Sequence, residues 1–403
     1  MYGQFGTRTV ALAWLVVVAI WPAPSVRGQE IDAGKRAQFR ERMLSFVDRR
    51  EIAGAVTVVG RRDDIVRHDA IGHLDLDQER PMRADALFRI ASMTKPITAI
   101  GIMILVDDGK LKITDPVEKH LPEFRGQMLV AERTDETVVL RKPARPITVR
   151  DLLTHTSGLP DRTPLQADLY ARRNHTLAEA VMAYSQRPLE FEPGSSWAYC
   201  NMGVDTLGRI IEVASGRPYE DYLHERIFAP LGMNDTTFYP TREQLERAAV
   251  PGGKRGEKLV PLARTLFDPP PGARFPMPCG GLYTTGADLA RLYQMMLGRG
   301  VRGDVRILSE PSATAMTTDQ TGEVRSGPVG TGFGWAVVRR PPGEDELLSM
   351  GSYGHSGALH TNAWIDPHKD LFTILLIQRQ GLSRADAAAM RGALQAMALD
   401  AIK

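Results

Sequence analysis

Two cysteines in 403 residues are too few for a disulfide-stapled scaffold, and Cys200 and Cys279 lack the spacing of a redox or zinc motif. An exported setting permits a disulfide between them, and two buried thiols fit as well. The nine histidines show no paired spacing of the kind a metal site uses. Charge of one sign is also missing. Fifty basic residues against 48 acidic ones leave +2, and the basic residues are dispersed, so no nucleic-acid or anionic-lipid surface is marked. The expected partner is a small molecule or peptide. No internal repeat or low-complexity tract is present, and Pro269-Pro270-Pro271 is a loop stiffener.

The apolar run from Val10 to Ile20 falls short of the roughly 20 residues that span a bilayer. It follows Arg8 and precedes Val26-Arg27-Gly28, the pattern of an export signal, 1–28, cleaved after Gly28. No cysteine follows the run to carry a lipoprotein lipid. The expectation is a periplasmic or secreted protein with no stable membrane anchor.

A hydrophobic fraction of 43% with 24% charged residues is that of a globular chain with a substantial core. Ala33 to Arg50 has helical periodicity, and Ala55 to Val59, Ile65 to His68 and Leu87 to Ile90 read as strands. Phe333 to Val338, Ala358 to Ile365 and Leu371 to Gln378 read as strands again, before a helix from Ala385 to Ile402. Between these ends the chain is helical, over Thr98–Val106, Val149–Leu153, Leu177–Tyr184, Val204–Val213, Tyr219–Ile227 and Ala287–Leu297. This pattern predicts an α+β fold in which an antiparallel sheet from both termini (29–86 and 321–403) is flanked by the terminal helices. A mainly helical region, 87–320, is inserted, and the active site is expected at the interface.

Three short motifs carry chemistry. Ser92-Met93-Thr94-Lys95 opens the helix running to Val106, so Ser92 and Lys95 share a face at i and i+3. The helix N-terminus favours an oxyanion there and lowers the lysine toward a neutral, proton-accepting amine. As an isolated tetrad, a plain cap serine and a solvated lysine would be the better account. Tyr199-Cys200-Asn201 enters a second helix, offering a phenol to relay a proton and an amide to orient lysine and substrate. His355-Ser356-Gly357 precedes a strand-like segment beginning at Ala358, where an N–H can serve as an oxyanion donor and Gly357 lets substrate approach closely.

In this order the three motifs resemble those of the serine β-lactamase and penicillin-binding-protein superfamily, nearest to the class C β-lactamase-related hydrolases, which include esterases. Phe88-Arg89-Ile90-Ala91, Leu152-Leu153-Thr154-His155-Thr156-Ser157-Gly158-Leu159 and Gly280-Gly281-Leu282-Tyr283-Thr284-Thr285 extend the resemblance over most of the chain. It implies Ser92 as nucleophile, Lys95 as its base, Tyr199 as proton relay and Asn201 as an orienting residue. The N–H groups of Ser92 and Ala358 would form the oxyanion hole. No cofactor or metal is implied. One departure stands out: class C β-lactamases usually begin the third motif with lysine, whereas His355 is mostly neutral at pH 7.

Gly354-His355-Ser356-Gly357-Ala358 approximates a nucleophile elbow, but no βα alternation surrounds it. His155 and Ser157 have the residue types of a catalytic pair, but the resemblance implies that their segment packs beneath the cleft. A non-catalytic cell-wall peptide binder is the reading from another class, opposed by three intact motifs. Within enzymes, a carboxylesterase acting on small acyl esters ranks before a β-lactamase or D-amino-acid peptidase, all sharing acyl-enzyme chemistry.

Overall fold

A computed structural model describes Met1, Gly3 and residues 33–77, 79–256, 258–340 and 347–400. The export signal therefore falls outside the described residues, apart from Met1 and Gly3. The β-branched run Gly54–Gly60 (β1) is buried along its whole length, which is what a central strand covered on both faces requires. It pairs antiparallel with Ile65–Gly72 (β2) on one side and with Leu371–Leu376 on the other.

The sheet has seven antiparallel strands: Val329–Thr331 (β3), Ala336–Val338 (β4), Tyr353–Ser356 (β5), Asn362–Asp366 (β6), Leu371–Leu376 (β7), then β1 and β2 in that spatial order. Both ends of the chain build it. Chain-terminal helices Ala33–Asp48 (α1) and Arg384–Asp400 (α6) pack on each other and on one face, where Phe39, Met43, Met390 and Leu394 bury against Val59 and Leu375. Gly286–Leu297 (α5) covers β1 and β7 on the opposite face. There Val56, Val58, Ile374 and Leu376 join a core that continues into the helical region through Ile97, Ile100 and Ile211.

At the centre of that region lies Thr94–Asp107 (α2), all but its last two residues buried, packed against Asn201–Ser215 (α4). A Cβ at Gly101 would sit 2.9 Å from Ile211 and Leu223, so glycine lets these elements approach closely. Gly109, with φ of +70°, ends α2 in the left-handed conformation expected of a glycine cap.

Two local expectations are corrected. Ser92 does not open α2 but sits in a 3₁₀ turn, Ala91–Met93, that feeds it. Ala358 begins a turn rather than a strand, because β5 ends at Ser356 and returns as β6 from Asn362. Cys200 and Cys279 are buried free thiols. Among the described residues, no helix is long and apolar enough to cross a membrane.

Candidate active site

The turn before α2 is held under strain. Ala91 adopts φ of +45°, a conformation that costs a non-glycine residue about 1–3 kcal/mol. Thr94 Oγ1 donates to the Ala91 carbonyl at 2.7 Å, and the Ile90 N–H donates to Leu282 at 3.0 Å, so the surroundings fix this backbone. Gly280-Gly281-Leu282 is thus the opposite wall of the nucleophile turn.

Lys95 is 1% exposed, and its Nζ donates to Ser92 Oγ at 3.1 Å and to the Cys279 carbonyl at 2.7 Å. The i, i+3 contact read from sequence is therefore formed. Burial presses Lys95 toward the neutral amine, but Tyr199, Cys279 and Asp205 oppose it and the balance lies above the ordinary lysine range. The expectation of a lowered lysine is corrected: the ammonium is the resting form, because anion-forming groups surround it. Its Nζ lies 4.7 Å from the centroid of the Tyr199 ring.

His155, cap of the helix Val149–Thr154 (α3), sets the position of Tyr199. Its carbonyl accepts from the Ala198 N–H at 3.0 Å and its Nδ1 from the Cys200 N–H at 3.2 Å, so both flanks of Tyr199 are tied to one residue. The two rings meet at an interplanar angle of 33° with centroids 4.7 Å apart. Burial first, and then the Lys95 charge, push His155 down to about 3, so the imidazole is a neutral acceptor here. Asn201 begins α4, and its Nδ2 donates to Asp161 Oδ2 at 3.1 Å while its N–H meets Oδ1 at 2.9 Å. The amide is oriented by a carboxylate that the motif did not announce.

A second unannounced group lies beneath Lys95. Asp205 on α4 is fully buried, accepting from the Cys279 N–H at 2.9 Å and from Tyr170 Oη at 2.6 Å. Burial pushes its carboxyl up to about 6, against the pull of these hydrogen bonds. It anchors the residue whose carbonyl holds Lys95.

The third motif arrives on β5. His355 is neutral, pushed down to about 4 by burial and then by the Lys95 charge, and its Nδ1 lies 2.9 Å from the Ser356 carbonyl. Ser356 Oγ accepts from Asn362 Nδ2 at 2.7 Å. An amide donor is no base, and a strand–turn–strand setting is no elbow, so Ser356 lacks what a nucleophile needs. A Cβ on Gly357 would lie 2.3 Å from the Ile90 carbonyl and 2.2 Å from Thr361 Oγ1. Its missing side chain admits the backbone before Ser92. The Thr361 hydroxyl adds a 3.2 Å bond to the same Ile90 carbonyl, and the turn bearing Ala358 is pinned beside the nucleophile.

A cavity of about 280 Å³ opens over this assembly, bounded by His155, Trp197, Tyr199, Arg325, Trp335 and His355. A similar cavity between Phe124 and Leu189 has no nucleophile paired with a base in its wall. Among the described residues no cluster of histidine, cysteine, aspartate or glutamate is placed to hold a metal.

The profile of the Beta-lactamase family matches residues 39–397. The chain belongs to that family. It is 33% identical to Protein Rv1367c of Mycobacterium tuberculosis over 377 residues, covering 88% of this chain and 92% of that one. It is also 33% identical to Esterase EstB of Burkholderia gladioli over 388 residues, covering 86% and 92% respectively. The simvastatin synthase LovD of Aspergillus terreus shares the fold with a TM-score of 0.78 at 22% identity, over 91% of this chain and 98% of that chain. This protein is accordingly a serine hydrolase of the Beta-lactamase family, with the α+β fold of that group.

Proposed function

We propose that the protein is a carboxylesterase on small acyl esters that works through an acyl-enzyme at Ser92. The observation that carries this reading is the 3.1 Å contact from Lys95 Nζ to Ser92 Oγ. Ser92 Oγ attacks the ester carbonyl and its proton must leave. Because Lys95 rests as the ammonium, its neutral-amine fraction is the form that takes this proton from Ser92 Oγ, and Tyr199, with its ring beside Nζ, relays it. The N–H groups of Ser92 and Ala358 receive the oxyanion. Tyr199 then returns the proton to the departing alcohol, and water repeats the sequence on the acyl-Ser92 ester to release the acid.

The apolar run Val10 to Ile20 that follows Arg8 supports export to the periplasm or beyond. A β-lactam or D-amino-acid peptide is the second reading, favoured by a cation, Arg325, in the cavity wall. Fluorophosphonate treatment followed by intact-mass analysis tests the nucleophile: one adduct is expected, lost in Ser92→Ala and kept in Ser356→Ala. An adduct mapped to Ser356 overturns the assignment. Turnover of p-nitrophenyl esters beside nitrocefin and a D-alanyl-D-alanine peptide ranks the substrates, and faster lactam or peptide cleavage replaces the esterase reading.

A further inference from the structure

His355 brings no charge to the third motif, yet the cavity is not without a cation. Arg325 follows the 3₁₀ turn Gly322–Val324 and reaches the cavity wall. Its Nη1 donates to the Gly330 carbonyl at 3.0 Å and to Thr331 Oγ1 at 2.6 Å, on strand β3. The guanidinium carbon lies 4.2 Å from the centroid of Trp197, so the fork is clamped flat between a strand and an indole. No carboxylate pairs with it among the described residues, since the nearby Asp319 is taken by Arg339. An arginine held in a fixed orientation with one edge satisfied and no counter-ion leaves donors for an anion from outside. Its charge is felt across the site, where it helps depress both His155 and His355.

We propose that Arg325 is a specificity-determining residue that receives a substrate carboxylate, so that the preferred esters are acidic ones. This rests on the esterase reading for its substrate class.

The test uses two matched pairs of esters. Mono-p-nitrophenyl glutarate against p-nitrophenyl butyrate places the carboxylate on the acyl side, and 3-butyryloxybenzoate against phenyl butyrate places it on the leaving group. For at least one pair, Arg325→Gln is expected to lower the ratio of acidic to neutral kcat/KM by about 10- to 100-fold, the range of a charge-assisted hydrogen bond. Arg325→Lys, which keeps charge without the planar fork, should recover part of it. Ratios unchanged within about threefold in both pairs overturn the proposal. Should Arg325→Gln fail to fold, wild type decides: raising sodium chloride from 0.05 to 0.5 M must depress turnover of the acidic ester more than the neutral one, and equal responses overturn it. Binding of the acidic esters to Ser92→Ala by calorimetry, with and without Arg325→Gln, stands apart from turnover. If wild type cleaves no ester at all, the esterase reading fails, and this binding difference still decides the role of Arg325.

Discussion

A histidine with an ordinary pKa near 6.5 would switch charge inside the working range of a hydrolase. His355 does not, because burial and the Lys95 charge take it to about 4. The expected pH profile of kcat/KM between 5.5 and 8.5 therefore carries no His355 inflection, and His355→Gln should keep its shape. An inflection near pH 6 that vanishes in the glutamine variant would show that His355 titrates in the resting cleft. A rise of lactam turnover on mild acidification, which the unperturbed value would give, is likewise not expected above about pH 5. The Ser92–Lys95 contact was legible in sequence because an i, i+3 pair constrains geometry locally, whereas the roles of Ser92, Lys95 and Tyr199 rest on the resemblance carried by three motifs in order. Asp161, Asp205 and Arg325 were not legible. Each acts on a motif residue from far along the chain, as Asp161 does on Asn201 from 40 residues away, and no local spacing encodes such a contact.

At the scale of elements, the site depends on how closely the β5–β6 turn meets the turn before α2. Gly357 sets that approach, since any Cβ collides with the Ile90 carbonyl. Gly357→Ala must push the turn bearing Ala358 away from Ser92, and a displacement of about 1 Å in a catalytic group costs on the order of 100-fold in rate. We expect kcat to fall by about that factor with a folded protein by circular dichroism. A variant with near wild-type kcat would mean that the Ala358 N–H contributes nothing. Most strands and helices could be read from β-branched runs and apolar periodicity, and β1, β7 and α6 follow those signals closely. The strand expected from Ala358 failed because Ala358 and Leu359 fit a strand by composition, while the hairpin geometry is set by Gly357 and by His360 at φ of +64°. Among helices of at least eight residues, Pro164–Arg172 and Glu310–Thr317 were not expected from the sequence although Thr163 and Ser309 are proper caps. Their prolines, tolerated in a first turn, read as loop.

Across the whole molecule the inner sheet face and the helical region share one core, so thermal unfolding is expected as a single transition with matching calorimetric and van't Hoff enthalpies. The acid side of its stability follows from three buried groups in the site. His155 is held down to about 3 and His355 to about 4, so between roughly pH 6.5 and 4 the unfolded chain binds protons there that the folded chain refuses. Stability from these groups is present above their unfolded pKa and is lost as pH falls. Asp205, raised to about 6, works the other way: its contribution is full below the ordinary carboxylate pKa and is lost as pH rises through 6. Near pH 5 two histidines outweigh one carboxyl by about one proton, a slope of about 1.4 kcal/mol per pH unit in favour of higher pH. His155→Asn keeps an acceptor for the Cys200 N–H but cannot titrate, so it should remove about that much from the slope. Melting temperatures taken from pH 6.0 to 4.5 should thus fall less steeply in the variant than in wild type. Parallel slopes would mean that His155 gains its proton in the folded cleft as readily as in the unfolded chain, and that the ring beneath Tyr199 is charged where the present geometry requires it to accept.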